Sequence, residues 1–362
     1  MKSIIVTFFL LITLLIPKIT VAQSYDQPIC VVYDVSHERY LISNVHSGQI
    51  LSYDANNQLS VFIESGLTSP RGMVIVNDTL YVADGTYLEG FKLEDGSSVL
   101  SYEVPTSQKI TSITADKNGF IYLIDDLTKT LFFYNHNDTT IKIDPYIFSK
   151  NIYTNGIVYS NDTLYIVVFG EPAGVVVFDL NQFRATYYEY QSNSYFFGIT
   201  TDGAGNYYIS SWEDMMSSTG KGKILKFDPN NPTQLQEIAS GYNAPSGICY
   251  NPYRNEIAIP NYTSDDVSFL KITTGVSADE SNALFASVGQ SLDGNSLKIK
   301  FTAPAQGNLQ LFDMLGQPLL EKNLAPGSKE YLMDISSLES GLYFMRINNN
   351  NSDYCYKILI SH

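Results

Sequence analysis

A small residue followed by an apolar one returns every forty-odd residues along this chain. It stands at Gly72-Met73, Ser112-Ile113, Gly156-Ile157, Gly198-Ile199 and Gly247-Ile248, at spacings of 40, 44, 42 and 49. Forty-two residues before Gly72 stands Cys30, which opens Cys30-Val31-Val32-Tyr33-Asp34 and makes a sixth unit. About ten residues into each unit comes a second signature: Tyr40-Leu41-Ile42-Ser43-Asn44, Leu80-Tyr81-Val82-Ala83-Asp84, Tyr122-Leu123-Ile124-Asp125, Leu164-Tyr165-Ile166-Val167, Tyr207-Tyr208-Ile209-Ser210 and Ile257-Ala258-Ile259-Pro260-Asn261. A third closes a further strand on an acidic or amide residue, as in Ile50-Leu51-Ser52-Tyr53-Asp54 and Val175-Val176-Val177-Phe178-Asp179.

Each unit thus carries three or four short strands, and helical periodicity is absent. A strand repeat of this length is the signature of a propeller blade, since one blade cannot bury both its faces and a ring of them can. The sequence therefore predicts an all-β chain with a six-bladed β-propeller over residues 24–272. The small residue opening each inner strand would let neighbouring chains approach near the crowded axis. The sixth unit shows only three strands, and residues 23–28 are a short stretch from which to borrow a fourth, so the strand that closes the last blade stays open.

Ahead of the repeats, Lys2 precedes an apolar run from Ile4 to Ile16, and Thr20-Val21-Ala22 offers a small residue for cleavage. The run is shorter than the roughly 20 apolar residues of a membrane span. Residues 1–22 read as a secretory signal peptide with Gln23 as the mature start. No later segment is long and apolar enough to cross a bilayer. The net charge of −15 and the lack of any Lys/Arg cluster remove the basic footprint of a nucleic-acid binder and speak against anionic membrane surfaces. Three cysteines, Cys30, Cys249 and Cys355, leave at least one unpaired. Cys30 and Cys249 fall in the first and last repeats, neighbours in a closed ring, so a clasp between them is open.

Residues 273–282 (TTGVSADESN) are small, polar and acidic, and read as a linker. Beyond it, residues 283–362 lose the 42-residue period but keep six strand-like stretches: Ser296 to Phe301, Asn308 to Phe312, Leu319 to Leu324, Lys329 to Ile335, Gly341 to Asn348 and Tyr354 to Ile360. Six short strands separated by turns indicate an Ig-like β-sandwich.

The repeats resemble the NHL-repeat and gluconolactonase-type six-bladed propellers, a likeness specific for architecture and poor for function. The tail is more distinctive. Gly307-Asn308-Leu309-Gln310-Leu311-Phe312-Asp313-Met314-Leu315-Gly316-Gln317, then Ser337-Leu338-Glu339-Ser340-Gly341-Leu342-Tyr343, resemble the C-terminal sorting domain of the type IX secretion system of Bacteroidota. The family's usual Pro-Asn-Pro near the domain start is replaced here by Ala286-Ser287-Val288. The resemblance implies passage through the periplasm, reading of residues 283–362 by the type IX machinery, and a final place in the medium or on the cell surface. Whether the domain is cleaved is open.

In such a propeller the residue before each small inner-strand residue faces the channel mouth. These are Ile29, Arg71, Thr111, Asn155, Phe197 and Ser246. Loops after the second strands reach the same face with Asn44, Asp84, Asp125, Trp212, Glu213 and Asn261. The candidate ligand-binding residues are Arg71, Asn155, Asp84, Asp125, Trp212 and Glu213. Arg71 would either brace Asp84 or meet an anionic ligand; Trp212 would either cap its blade or offer a stacking platform. The gluconolactonase resemblance implies a divalent cation held by Glu, Asn and Asp, but the matching positions are Ile29, Asn155 and Phe197. Hard cations want carboxylates, so no metal site and no cofactor is expected, calcium being the ion to consider. His46 is the one plausible base among four histidines and sits in a loop. No catalytic set is assembled. The expectation is a secreted or surface-displayed binding and scaffold module, its partner a glycan, peptide or envelope protein. The alternative is a gluconolactonase-like lactone or ester hydrolase with an altered, metal-poor site.

Overall fold

The computed structural model describes residues 24–135, 140–147, 153–170, 172–190, 194–203, 205–213, 221–272, 285–290, 295–312, 318–349 and 352–360. The expected signal peptide and linker lie outside these residues. The described elements are strands joined by turns and loops.

Five four-stranded antiparallel sheets and one three-stranded sheet follow one another along the chain. The first blade is β1 (Pro28–Asp34), β2 (Arg39–Asn44), β3 (Gln49–Tyr53) and β4 (Leu59–Ile63). The second is β5 (Pro70–Val76), β6 (Thr79–Asp84), β7 (Tyr87–Lys92) and β8 (Ser98–Glu103). The third runs from β9 (Ile110–Ala115) and β10 (Phe120–Asp125) through β11 (Thr130–Asn135) to β12 (Thr140–Ile147). The fourth holds β13 (Thr154–Ser160), β14 (Thr163–Val168), β15 (Ala173–Asp179) and β16 (Arg184–Tyr190). The fifth holds β17 (Tyr195–Thr201), β18 (Tyr207–Trp212), β19 (Gly222–Phe227) and β20 (Leu235–Tyr242). The sixth holds β21 (Cys249–Asn251), β22 (Glu256–Asn261) and β23 (Asp266–Lys271). Every second strand is a block of five or six buried positions, because both its faces are covered by neighbouring blades.

Burial proceeds blade against blade. Met73, Leu80 and Val82 of the second blade pack on Leu41 and Ile50 of the first. Corresponding clusters join the second blade to the third, the third to the fourth, the fourth to the fifth, the fifth to the sixth and the sixth back to the first. The ring is therefore closed. The small residues at the inner-strand starts are a steric requirement: a Cβ on Gly72 would lie 2.6 Å from the Ser112 Cα, and one on Gly198 2.5 Å from the Ser246 carbonyl oxygen. Both obstacles are backbone, which cannot rotate aside.

The last blade differs from the others. It shows three strands among the described residues, and bonds of other kinds join it to the first. The Val31 N–H donates to the Gly247 carbonyl at 3.2 Å, and the Gly247 N–H donates to the Ile29 carbonyl at 2.8 Å. The Tyr40 hydroxyl donates to Glu256 Oε1 at 2.9 Å, and Asn251 Nδ2 donates to that hydroxyl at 2.8 Å, all three side chains being buried. Lys271 Nζ meets the other Glu256 oxygen at 2.8 Å. The apolar cluster at this junction has four fully buried members, Val31, Tyr40, Ile42 and Ala258, fewer than any other between blades.

Both cysteines in the ring are free thiols. Cys30 packs between the first and second blades and accepts from the Met73 N–H, whereas Cys249 packs between the sixth and first and accepts from the Tyr33 N–H. The first blade stands between the two sulfurs, which is why the clasp does not form. Burial pushes the Cys30 thiol up to about 11 and the Cys249 thiol up to about 12, so both behave as small apolar groups.

The tail departs from the expected six short strands. β25 (Ser296–Phe312) and β26 (Pro318–Asp334) are each 17 residues long and span two of the predicted stretches. With β24 (Phe285–Gln290), β27 (Gly341–Asn349) and β28 (Ser352–Ile360) they make one five-stranded sheet. Register shifts between Lys300 and Gly307 break β25 into halves, one pairing with β24 and the end of β26, the other with β27 and the start of β26. Bulges bend strands, and Leu297, Ile299 and Phe301 of one half share a core with Leu309 and Leu311 of the other, with Met345 of β27 and with Ile358 of β28. The sandwich is two long strands folded over, a feature that turn residues in the sequence masked.

Candidate functional site

The start of each first strand pairs with the end of each second strand: Pro28 with Asn44, Pro70 with Asp84, Ile110 with Asp125, Thr154 with Val168 and Tyr195 with Trp212. Pro245 bridges Asn261 in the sixth blade. Immediately after this pair, or one pair later in the fifth blade, the register slips in each of the first five blades, at Ile29, at Arg71-Gly72, at Thr111, at Asn155-Gly156 and at Phe197-Gly198. A bulge takes a residue off the ladder and re-aims its side chain. The same defect, repeated around the ring, turns one side chain per blade toward the axis.

Those five residues line one cavity at the channel mouth, together with Cys30, Gly72, Ser112, Gly156 and Gly247. The cavity is small and opens to solvent at the mouth. Ser246, the sixth expected mouth residue, is fully buried, its hydroxyl donating to the Ala244 carbonyl at 3.2 Å, and Gly247 takes its place on the wall.

Arg71 does not brace Asp84. The Asp84 carboxylate is occupied by the incoming loop of its own blade, accepting from the backbone N–H groups of Thr68 at 2.8 Å and Ser69 at 2.5 Å. No hydrogen-bond acceptor or ion-pair partner meets the Arg71 guanidinium among the described residues. Burial pulls its pKa below the usual arginine range, opposed by the charges of Tyr262 and Asp126. Asp126 is itself shared between Lys109 at 3.5 Å and Lys129 at 3.4 Å. Arg71 is thus a half-buried cation without a counter-ion. Asn155, partly exposed, likewise offers its amide to the cavity without a protein partner among the described residues.

Asp125, Asp84 and Glu213, all sequence candidates for ligand contact, are committed elsewhere. Asp125 is fully buried and accepts from the Ser107 hydroxyl and the N–H groups of Gln108, Lys109, Leu127 and Thr128, at 2.6 to 2.9 Å. Burial alone would raise its pKa; the Ser107 hydroxyl and the Thr128, Lys109 and Gln108 N–H groups outweigh that and lower it. Its work is to tie two loops. Glu213 pairs with Lys223 at 2.5 Å, and Lys223 also holds Glu237 at 2.9 Å, so this carboxylate belongs to an ion-pair network on β19 and β20. His46 is 70% exposed and lies 3.4 Å from Asp26, a solvated loop residue. Asn44, at the position equivalent to Asp84, is fully buried with neither amide atom partnered.

Trp212, at the end of β18, is held by contacts within the protein. Its Nε1 donates to the Pro245 carbonyl at 2.8 Å, which pins the ring, and the ring stacks on Phe197 at 5.1 Å and 8°. Phe169 stands edge-on to both, at 5.6 Å and 6.0 Å, and Tyr262 leans on Trp212 at 6.2 Å. Phe169 and Tyr262 carry no motif of their own and were not legible as members.

Residues 294–361 match the family described as "Secretion system C-terminal sorting domain". This stretch is a sorting domain. The sorting domain marks the chain as a type IX secretion cargo, secreted or displayed on the cell surface. No helix of the described residues is long and apolar enough to cross a membrane. No curated protein matches the chain. Upstream of the sorting domain the fold is similar to that of a virginiamycin B lyase from Staphylococcus aureus, with a TM-score of 0.53 and 14% identity over 70% of this chain and 83% of that one. It is similar to a gluconolactonase from Xanthomonas campestris, with a TM-score of 0.55 and 13% identity over 68% and 86%. A protein of unknown function from Bacteroides thetaiotaomicron gives 0.53 and 12% over 69% and 70%. At these identities the likeness is one of fold: a gluconolactonase-type propeller followed by the sorting domain. The cation that gluconolactonase resemblance implies does not fit this mouth. Ile29 is 5% exposed and apolar, Phe197 is stacked on Trp212, and Asn155 alone supplies an oxygen where three ligands would stand.

Proposed function

We propose that this protein is a secreted binding module whose propeller takes a small ligand at the channel mouth, while its sorting domain delivers it to the surface or medium. One observation carries the reading. Two polar side chains, Arg71 and Asn155, open into the same cavity without protein partners among the described residues, although neighbouring carboxylates are fully engaged. Folding leaves partly buried polar groups unmatched at a cost, and a ligand would repay it. The leader at residues 1–22 and the Bacteroidota source implied by the tail belong to the same reading.

The test is a thermal-shift panel of neutral and charged small molecules on the purified protein, beside Asn155→Leu. A ligand at a hundredfold excess over Kd stabilises the native state by about 2.7 kcal/mol. A compound should protect the wild type and fail to protect Asn155→Leu. Equal protection of both, or protection by none, would remove the mouth as the binding site.

A further inference from the structure

The chemistry of the ligand can be narrowed by asking what each wall of the cavity lacks. On one wall is Arg71, a guanidinium whose fork of five N–H donors meets no acceptor among the described residues. The second and fifth blades stand three apart in a ring of six, so the opposite wall is that of Phe197. There the Phe197 ring is backed by Trp212, itself pinned by the Pro245 carbonyl and flanked by Phe169 and Tyr262. Between them lie Ile29, Thr111, Ser112, backbone at the glycines, and the Asn155 amide, unpartnered among the described residues.

We infer that this mouth binds a small aromatic monocarboxylate, its carboxylate forked onto Arg71 and its ring lying against Phe197. The inference rests on the binding reading above and goes further by naming the ligand class. Three properties of the cavity lead to it. The charge must be negative, because Arg71 is the cation at the mouth left without a counter-ion; Lys109 and Lys129 are held by Asp126. The chain around it has net charge −15, so this local positive site is a departure from the surface as a whole. The charge must also be single and planar. One guanidinium matches a carboxylate bidentately, whereas a phosphate dianion would want a second cation or a cluster of backbone donors, and neither lines the cavity.

The body of the ligand must be flat and apolar. Phe197 presents a ring held in place from behind, and a preorganised platform loses little freedom on binding. A sugar acid carries several hydroxyls, each needing a partner once desolvated, whereas the cavity offers the Asn155 amide and the hydroxyls of Ser112 and Thr111, the latter already donating to the Ile124 carbonyl at 3.4 Å. That amide suits one ring substituent, such as a phenolic hydroxyl.

Isothermal calorimetry on the purified secreted protein tests this with 4-hydroxybenzoate, its neutral counterpart 4-hydroxybenzamide, D-glucuronate and inorganic phosphate. 4-Hydroxybenzoate should bind and the other three should not. Arg71→Gln should weaken it by about ten- to a hundredfold, the range of a charge-assisted pair, without lowering the melting temperature of the free protein. Arg71→Lys should restore only part, since the fork is lost. Phe197→Leu should weaken the aromatic acid and leave Arg71 in place. Binding of 4-hydroxybenzamide as tight as that of the acid would overturn the anion assignment, and its dependence on Asn155 would leave the mouth reading standing. Preference for glucuronate or phosphate would overturn the ligand class alone. Undiminished binding of 4-hydroxybenzoate by Arg71→Gln, or no binding of it by the wild type, would overturn the inference outright.

Discussion

Replacing Tyr40 by Phe removes one hydroxyl from the junction of the first and last blades and keeps the ring that packs 4.9 Å from Tyr33 and 5.2 Å from Phe269. The change therefore isolates the polar part of ring closure. With the hydroxyl gone, Glu256 Oε1 loses its donor and Asn251 Nδ2 its acceptor, both within a buried site. Each stranded group costs about 1–3 kcal/mol. Arg254, 3.9 Å from the same Glu256 oxygen, can move to relieve part of this, which sets the net loss at about 2–3 kcal/mol by the same scale. A domain of this size shifts its melting temperature by roughly 2–4 °C per kcal/mol. Tyr40→Phe should then melt about 4–12 °C below the wild type by calorimetry. The control is Tyr159→Phe, whose hydroxyl bonds the exposed Asp162 at 2.9 Å and should matter by under about 0.5 kcal/mol. If Tyr40→Phe melts no lower than Tyr159→Phe, the buried Tyr40 hydroxyl contributes nothing to ring closure and this polar clamp is incidental.

Asp125 has a folded pKa below its unfolded one, so its contribution is present above about pH 3.9 and is lost as pH falls through the lower folded value. Asp125→Asn should be less stable at pH 7, and its urea midpoint should fall less steeply than that of the wild type below about pH 4; parallel curves would refute the bracing role. Deleting residues 283–362 should leave a folded propeller in the periplasm, seen by cell fractionation. Export of the truncated chain at the normal level would show that the sandwich does not direct sorting.

The six-bladed ring was legible because its signal is local and repeated. Strands such as Leu80–Asp84 and Tyr207–Trp212 are apolar on both faces, and the small residues at Gly72 and Gly198 stand where backbones nearly touch. The tail was legible through its two glycine-centred motifs. The mouth was legible as a set of positions, five of which line one cavity. What the sequence did not show was which of their polar groups were engaged. Asp84 and Asp125 look like ligands on paper because their partners, the N–H groups of Thr68, Ser69 and Lys109, carry no side-chain signature. Glu213 was misjudged for the same reason, its partner Lys223 standing on another strand.

Blade number, chain order and the fate of the tail follow from hydrophobic period and motif, which depend on residues near one another in sequence. Three decisions needed the folded ring. Cys30 and Cys249 face different blade junctions because strand alternation sends their sulfurs to opposite sides of the first blade. Tyr40 and Glu256 meet across 216 residues because closure brings the chain's first and last blades together. Arg71 stands without a counter-ion among the described residues because a bulge turns it to the axis while the carboxylates nearby are held by loop backbone. In each case the outcome depends on what lies opposite a side chain in space, and local sequence carries no record of that.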